Sequence, residues 1–220
     1  MRMFGSVRCE ESKGEIYIYD TIGQDWFGEG ITAKSVIDAL GTISGHAHVR
    51  INSPGGVADE GIAIYNALKR HPAGVTTYVD SLAASAASIV ALAGSKRVIS
   101  KGGRFMIHRA MTIAMGNAND LDQVANMLKS YDKSLVEIYS GYIKDKTPAQ
   151  IMNMMDDETW FNVQDSIDAG LATDSGEDVP DAQPTIASWF RKPPENCGKP
   201  VQEYSVMRAK AKLLKMRASS

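Results

Sequence analysis

The sequence predicts an α/β fold with a parallel sheet and right-handed crossovers, and two observations carry that expectation. Between residues 15 and 108, short β-branched or aromatic runs alternate with helical stretches, in the order strand, helix, strand, helix. Within that order, Asp80 to Gly94 begins where a strand ends and continues as a small-residue run with Ile89, Val90 and Leu92 but no charge after Asp80. A helix that is apolar all round belongs in the interior.

The elements follow in order. Glu15 to Asp20 alternates and reads as a first strand, with Gly23 closing its turn. Ala33, Val36, Ile37 and Leu40 share one helical face, with Thr32 as N-cap and Gly41 as stop. His48 to Asn52 is a second strand that runs into Ser53-Pro54-Gly55-Gly56. Ile62, Ile64, Tyr65 and Leu68 mark a helix that ends near Pro72, and Val75 to Val79 is the strand before the alanine-rich run. Lys96 to Ser100 and Arg104 to His108 are two short strands around Gly102-Gly103.

A second regime starts at residue 119. Asn119 or Asp120 is expected to cap a helix to about Lys144, with Leu121, Val124, Leu128, Tyr131, Leu135, Ile138 and Tyr142 on one stripe. Pro148 opens a further helix to Met155, and Val163 to Ala169 forms a short one stopped by Gly170. The division expected is a core over 1–174, a proline-rich linker over 175–200, and a basic helical tail over 201–220 that carries Arg208, Lys210, Lys212, Lys215 and Arg217.

Composition bounds the function. An apolar share of 44% supports a buried core, and a net charge of -2 gives no reason to expect specific nucleic-acid binding. Cys9 and Cys197 lack metal-ligand spacing and read as reduced thiols. No stretch reaches the ~20 apolar residues that span a bilayer, and the first residues lack a signal-peptide core. The expectation is a protein made and used in the cytoplasm, where a host cell and a virus inside it look the same. No cofactor, metal or membrane partner is expected.

Four places could carry chemistry. Ser85 stands at the first turn of the alanine-rich helix, where unpaired N–H groups suit a nucleophilic hydroxyl and the oxyanion it creates. It could equally be a packing serine or an N-cap, as could Ser81 and Ser88. The Gly55-Gly56 turn leaves bare backbone whose N–H groups can face an anion, or is simply a turn. With no Lys-Ser/Thr after it, it is no phosphate-binding loop. His108 shares a strand face with Met106, and Asp156-Asp157-Glu158 offers carboxylates before Trp160, either a solvated helix end or an acid that orients a histidine. His46 and His48 form a pair on one strand face and lack a third ligand nearby, so they read as structural. The Gly-x-Ser-x-Gly elbow of α/β-hydrolases is absent around Ser85.

Taken in sequence, Ile51-Asn52-Ser53-Pro54-Gly55-Gly56, Ala83-Ala84-Ser85, Met106-Ile107-His108, Trp160-Phe161 and Gly170-Leu171 resemble the proteolytic subunit of Clp proteases, the serine-peptidase branch of the ClpP/crotonase superfamily. The resemblance covers about residues 15–174. It implies a ClpP/crotonase-like core of ββα repeats with a protruding helical handle, and a homo-oligomer of stacked rings acting on peptide or protein substrates. It implies Ser85 as nucleophile, His108 as base and Glu158 as the acid, with Asp157 as the alternative. Gly55, Gly56 and Ala86 would supply the oxyanion hole, and an extended substrate would pair with a strand after Gly56, beginning at Val57.

Ser81 stands where the family commonly has glycine, and Glu158 where it has aspartate, a longer side chain that needs a shifted backbone. The linker and basic tail are similar to those of head-maturation (prohead) proteases of tailed phages, which cleave capsid or scaffold protein without an unfoldase. Four alternatives remain open: a proteolytic subunit working with a AAA+ unfoldase, a catalytically silent scaffold, a crotonase-type acyl-CoA enzyme that would leave Ser85 and His108 without a role, and a Ser–Lys dyad, for which Lys96 and Lys101 are the nearby lysines.

Overall fold

The computed structural model describes residues 2–4, 6–24, 30–177 and 190–194. Strands β1 (Arg2–Phe4) and β2 (Val7–Glu10) form a hairpin, and β2 runs antiparallel to β3 (Glu15–Ile18). Neither β1 nor β2 is expected from the sequence. Their residues alternate too briefly to be read, and β2 is fixed by burying Val7 and Cys9. From β3 the sheet is parallel through β4 (Ala47–Ser53), β5 (Val75–Ala84) and β6 (Lys96–Ser100).

Strand β5 changes partner along its length. Thr76 to Val79 pair with β6, whereas Leu82 to Ala84 pair with β7 (Arg104–Ile107), which in turn pairs antiparallel with β8 (Thr159–Phe161). Strand β9 (Asp174–Gly176) extends the other edge beside β6. The sequence alone ends the strand at Val79, but pairing with β7 keeps the following residues extended. Tertiary pairing overrides the helical preference of Ala83 and Ala84.

The crossovers supply helices α1 (Ala33–Leu40), α2 (Ala58–Lys69) and α3 (Ala86–Ala91). Thr32 and Ser35 close a reciprocal cap on α1, as expected of the N-cap. Helix α3 is short and wholly buried, which explains its uncharged sequence. Helix α4 (Ala118–Ser140) begins earlier than expected, because Asn117, with Asp120 at its third position, forms the capping box. Only its second half packs, through Asp132, Leu135, Val136 and Tyr139. Its first half stands clear of the core with Leu121 and Met127 exposed, the geometry of a handle. Helices α5 (Pro148–Asp156) and α6 (Val163–Asp168) complete the chain of elements.

Parts of the stretch expected as a linker are ordered against the core. Ser175 and Gly176 belong to β9, and Phe190 is buried at 7% exposure. Phe190 packs on Leu82, Ala84 and Met106, a small cluster separate from the main core that holds Ala83, Phe105 and Ile107. The basic tail over 201–220 and Cys197 lie outside the described residues. Cys9 is buried as a free thiol, which burial pushes above its ordinary pKa.

A buried charge network ties β3, β4 and β5 together. Asp80 accepts two hydrogen bonds from the Arg50 guanidinium, at 2.8 and 2.6 Å, and one from the Tyr19 hydroxyl at 2.5 Å. Asp80 is 3% exposed, so removing Arg50 strands a buried acid. Arg50→Met is expected to cost about 3 kcal/mol, read as a lower urea midpoint. Adding Asp80→Leu to it should restore most of that loss.

Candidate active site

The nucleophile candidate owes its position to the end of β5. Register pairs Ala84 with Met106, and the Ser85 N–H donates to Met106 O at 2.9 Å. The chain must then turn at once into α3, and Ser85 does so at φ 54°, ψ -127°. A non-glycine residue in that region costs about 1–3 kcal/mol, and such strain persists only where the surroundings impose it. Ser85 stands at the N-cap position of α3, but its side chain makes no capping bond. Ser88 and Ser81 part from it. Ser88 is fully buried against Ser85 O and the Tyr139 hydroxyl, and Ser81 lies within β5.

Strand β7 brings His108 alongside. The Ser85 hydroxyl and His108 Nε2 are 2.7 Å apart, within reach of direct proton transfer. His108 is 9% exposed. Burial lowers its pKa below the ordinary 6.5, the Glu158 and Asp132 carboxylates oppose that, and the Arg191 charge adds to it. The ring also meets the edge of Phe190 at 6.1 Å between centroids.

The acidic cluster divides. Glu158 is 3% exposed and sits at φ 53°, the second non-glycine residue with a positive φ among the described residues. Asp157 ends α5 with its side chain 75% exposed, held by Lys192, so it faces water and away from the imidazole. Asp156 pairs with Arg109. Glu158 makes no hydrogen bond to His108. Its oxygens accept instead from the N–H groups of Arg191 and Lys192, at 2.7 and 2.6 Å, and from Trp160 Nε1 at 3.3 Å. It acts on the imidazole as a nearby negative charge.

Of the three expected oxyanion donors, two have N–H groups with no partner among the described residues. Gly55 N–H donates to Ser53 Oγ at 3.1 Å, while no bond among the described residues engages the N–H of Gly56 or Ala86. Gly55 (φ 90°) abuts the nucleophile, since a Cβ there would lie 2.7 Å from Ser85 Cβ. Gly56 (φ 150°) lies against Ile22, whose carbonyl a Cβ would strike. The strand expected after Gly56 is not there. Val57 is the N-cap of α2, and its N–H donates to Ile22 O at 2.9 Å, so it cannot pair with a substrate through that group. The Val57 side chain, 45% exposed, lines a cleft of about 510 Å³ with Ile22, Ser85, Ile89, His108 and Met111. Sequence reasoning missed Ile22, whose backbone braces both sides of the Gly55-Gly56 turn.

The remaining candidates have other partners. His46 binds Ala73 O and the Thr76 hydroxyl, and His48 the Tyr78 hydroxyl. Lys96 lies on β6, its ammonium 3.9 Å from Asp174, and is not among the residues lining the cleft, nor is Lys101.

A strained serine between a sheet strand and a helix, hydrogen-bonded to a histidine just past the neighbouring strand, is a candidate nucleophile on an α/β fold. Comparison with known proteins narrows the class. The Clp protease family matches residues 14–177, and the chain belongs to that family. It is 39% identical over 126 residues to ATP-dependent Clp protease proteolytic subunit 1 of Protochlamydia amoebophila, covering 55% of this chain and 60% of that protein. The subunit of the same name from Chlamydia abortus is 33% identical over 158 residues, 66% of this chain and 82% of that one. Among solved structures, a ClpP1 mutant from Listeria monocytogenes shares the fold, with a TM-score of 0.65 at 21% identity over 76% of this chain and 93% of that one.

The His108 environment sets a pH dependence. A base must be unprotonated, so kcat/KM for peptide cleavage should fall as pH drops through a midpoint below 6.5. Glu158→Gln removes a charge that holds the proton on, and should move that midpoint lower still.

Proposed function

We propose that the protein is a serine endopeptidase of the Clp type, working through an acyl-enzyme in a homo-oligomer. The 2.7 Å contact between Ser85 and His108 carries this reading. Ser85 Oγ attacks the scissile carbonyl as His108 Nε2 takes its proton. The oxyanion that forms receives the N–H groups of Gly56 and Ala86, while Gly55 keeps the turn against Ser85. His108 then returns the proton to the leaving amine, and water, deprotonated by the same imidazole, releases the acid. Glu158 stabilises the imidazolium in both halves. The cleft wall of Ile22, Val57, Ile89, Met111 and Leu128 suits a large apolar side chain beside the scissile bond.

A fluorophosphonate probe should label Ser85, and Ser85→Ala should abolish labelling and lower peptide cleavage by at least about a thousandfold. Labelling that survives the substitution would remove the assignment. A crotonase-type reaction would instead spare activity in Ser85→Ala.

The proposed biological role is processing of capsid or scaffold protein during phage head maturation, with the basic residues between Arg208 and Arg217 as the docking tail. The names of the relatives favour a second reading, a proteolytic subunit fed by an ATP-dependent unfoldase. Capsid and portal genes beside this gene would support the first reading. Cleavage of folded protein that requires an unfoldase and ATP would support the second. Native mass spectrometry should find rings under either.

A further inference from the structure

Residues 190–194 lie beyond the family match, which ends at residue 177, yet they reach the catalytic centre. Three observations define their contacts. Phe190 is buried with its ring edge-on to His108, and at 5.5 Å from Trp160. The next two N–H groups each bind a different oxygen of Glu158. Without them, that buried carboxylate would keep the longer bond from Trp160 and the Arg191 guanidinium at 3.8 Å, and a buried acceptor left short of donors is costly. The Lys192 side chain adds little, since the Lys192–Asp157 pair is 3.5 Å apart and largely exposed, whereas the Arg191 guanidinium lies 3.8 Å from Glu158 and donates to Asp156 O at 2.7 Å.

We infer that Phe190, Arg191 and Lys192 are positioning residues of the active site, a strap whose main-chain N–H groups fix Glu158 beside His108 while the Phe190 ring walls the imidazole. This rests on the serine-peptidase reading. The strap does not block the site. The Ser85–His108 bond is formed with it in place, and none of its residues lines the cleft. Phe190 covers Leu82, Ala84 and Met106, on the side of β5 and β7 away from the main core. Because the imidazolium is transient, the strap should matter to the chemical step and not to substrate binding.

Proline at residue 192 deletes one N–H and is compatible with the Pro193 that follows it, while alanine keeps the N–H and loses only the ammonium. In the full-length protein, Lys192→Pro should lower kcat and the rate of fluorophosphonate labelling by about tenfold to a hundredfold with KM within twofold. Lys192→Ala, which keeps that N–H, should retain most of the kcat that Lys192→Pro loses. Phe190→Ala, whose contacts lie outside the main core, should lower kcat in the same direction and guards against a misfolded proline variant. The strap assignment is overturned if folded Lys192→Pro and Phe190→Ala both keep kcat within twofold, if kcat rises, or if Lys192→Ala falls as far as Lys192→Pro. If the unaltered protein takes no label at Ser85, the serine-peptidase reading fails first and the strap assignment falls with it.

Discussion

The change of partner along β5 is the constraint on which the site depends. Pairing with β6 fixes the first half of the strand to the main sheet, and pairing with β7 fixes the second half to the strand that carries His108. A register of Ala84 opposite Met106 leaves Ser85 and His108 a residue or two past the last pair, where side chains can converge. The sheet then stops and α3 starts with no intervening loop, so the strain of the turn falls on Ser85. Strain of that kind holds the hydroxyl in one place, at the edge of a helix with open N–H groups.

The opposite wall is built with the same economy. Ile22 pairs with both sides of Gly56, so the Gly55-Gly56 turn is braced from β3's end of the chain and pressed against Ser85. Side chains are excluded there by contact with Ser85 and Ile22, which leaves backbone alone to meet a substrate oxygen. Behind the histidine, Glu158 takes its bonds from Arg191, Lys192 and Trp160, and bears on the imidazole through space. The segment after the family match thus lies against His108 and Glu158, and the small outer cluster of Leu82, Ala84 and Met106 has a cover.

Much of this was legible in the sequence. The strand–helix order, the capped α1, the paired strands before His108 and the proline-started α5 follow from periodicity and capping chemistry, and the motifs pointed to Ser85, Gly56, His108 and Glu158. What was not legible depends on contacts distant in sequence. The extension of β5 through Ala84 requires β7, and Ala83 and Ala84 by themselves favour helix. The hairpin of β1 and β2 is too short for periodicity to show. Val57 was expected to receive substrate through its backbone, but Ile22, thirty-five residues earlier, takes that N–H. The docking of Phe190 was hidden because a proline-rich, polar stretch reads as a linker, and one buried aromatic is enough to tie part of it down.

The central claim is geometric: one strained hydroxyl, one imidazole and two N–H groups converge on a single point. A crystal structure of the protein inactivated by a fluorophosphonate tests it most directly. The account predicts phosphorus bonded to Ser85 Oγ, with the phosphonyl oxygen about 2.7–3.1 Å from the nitrogens of Gly56 and Ala86. Phosphorus on another residue, or an oxygen turned away from both amides, would contradict it.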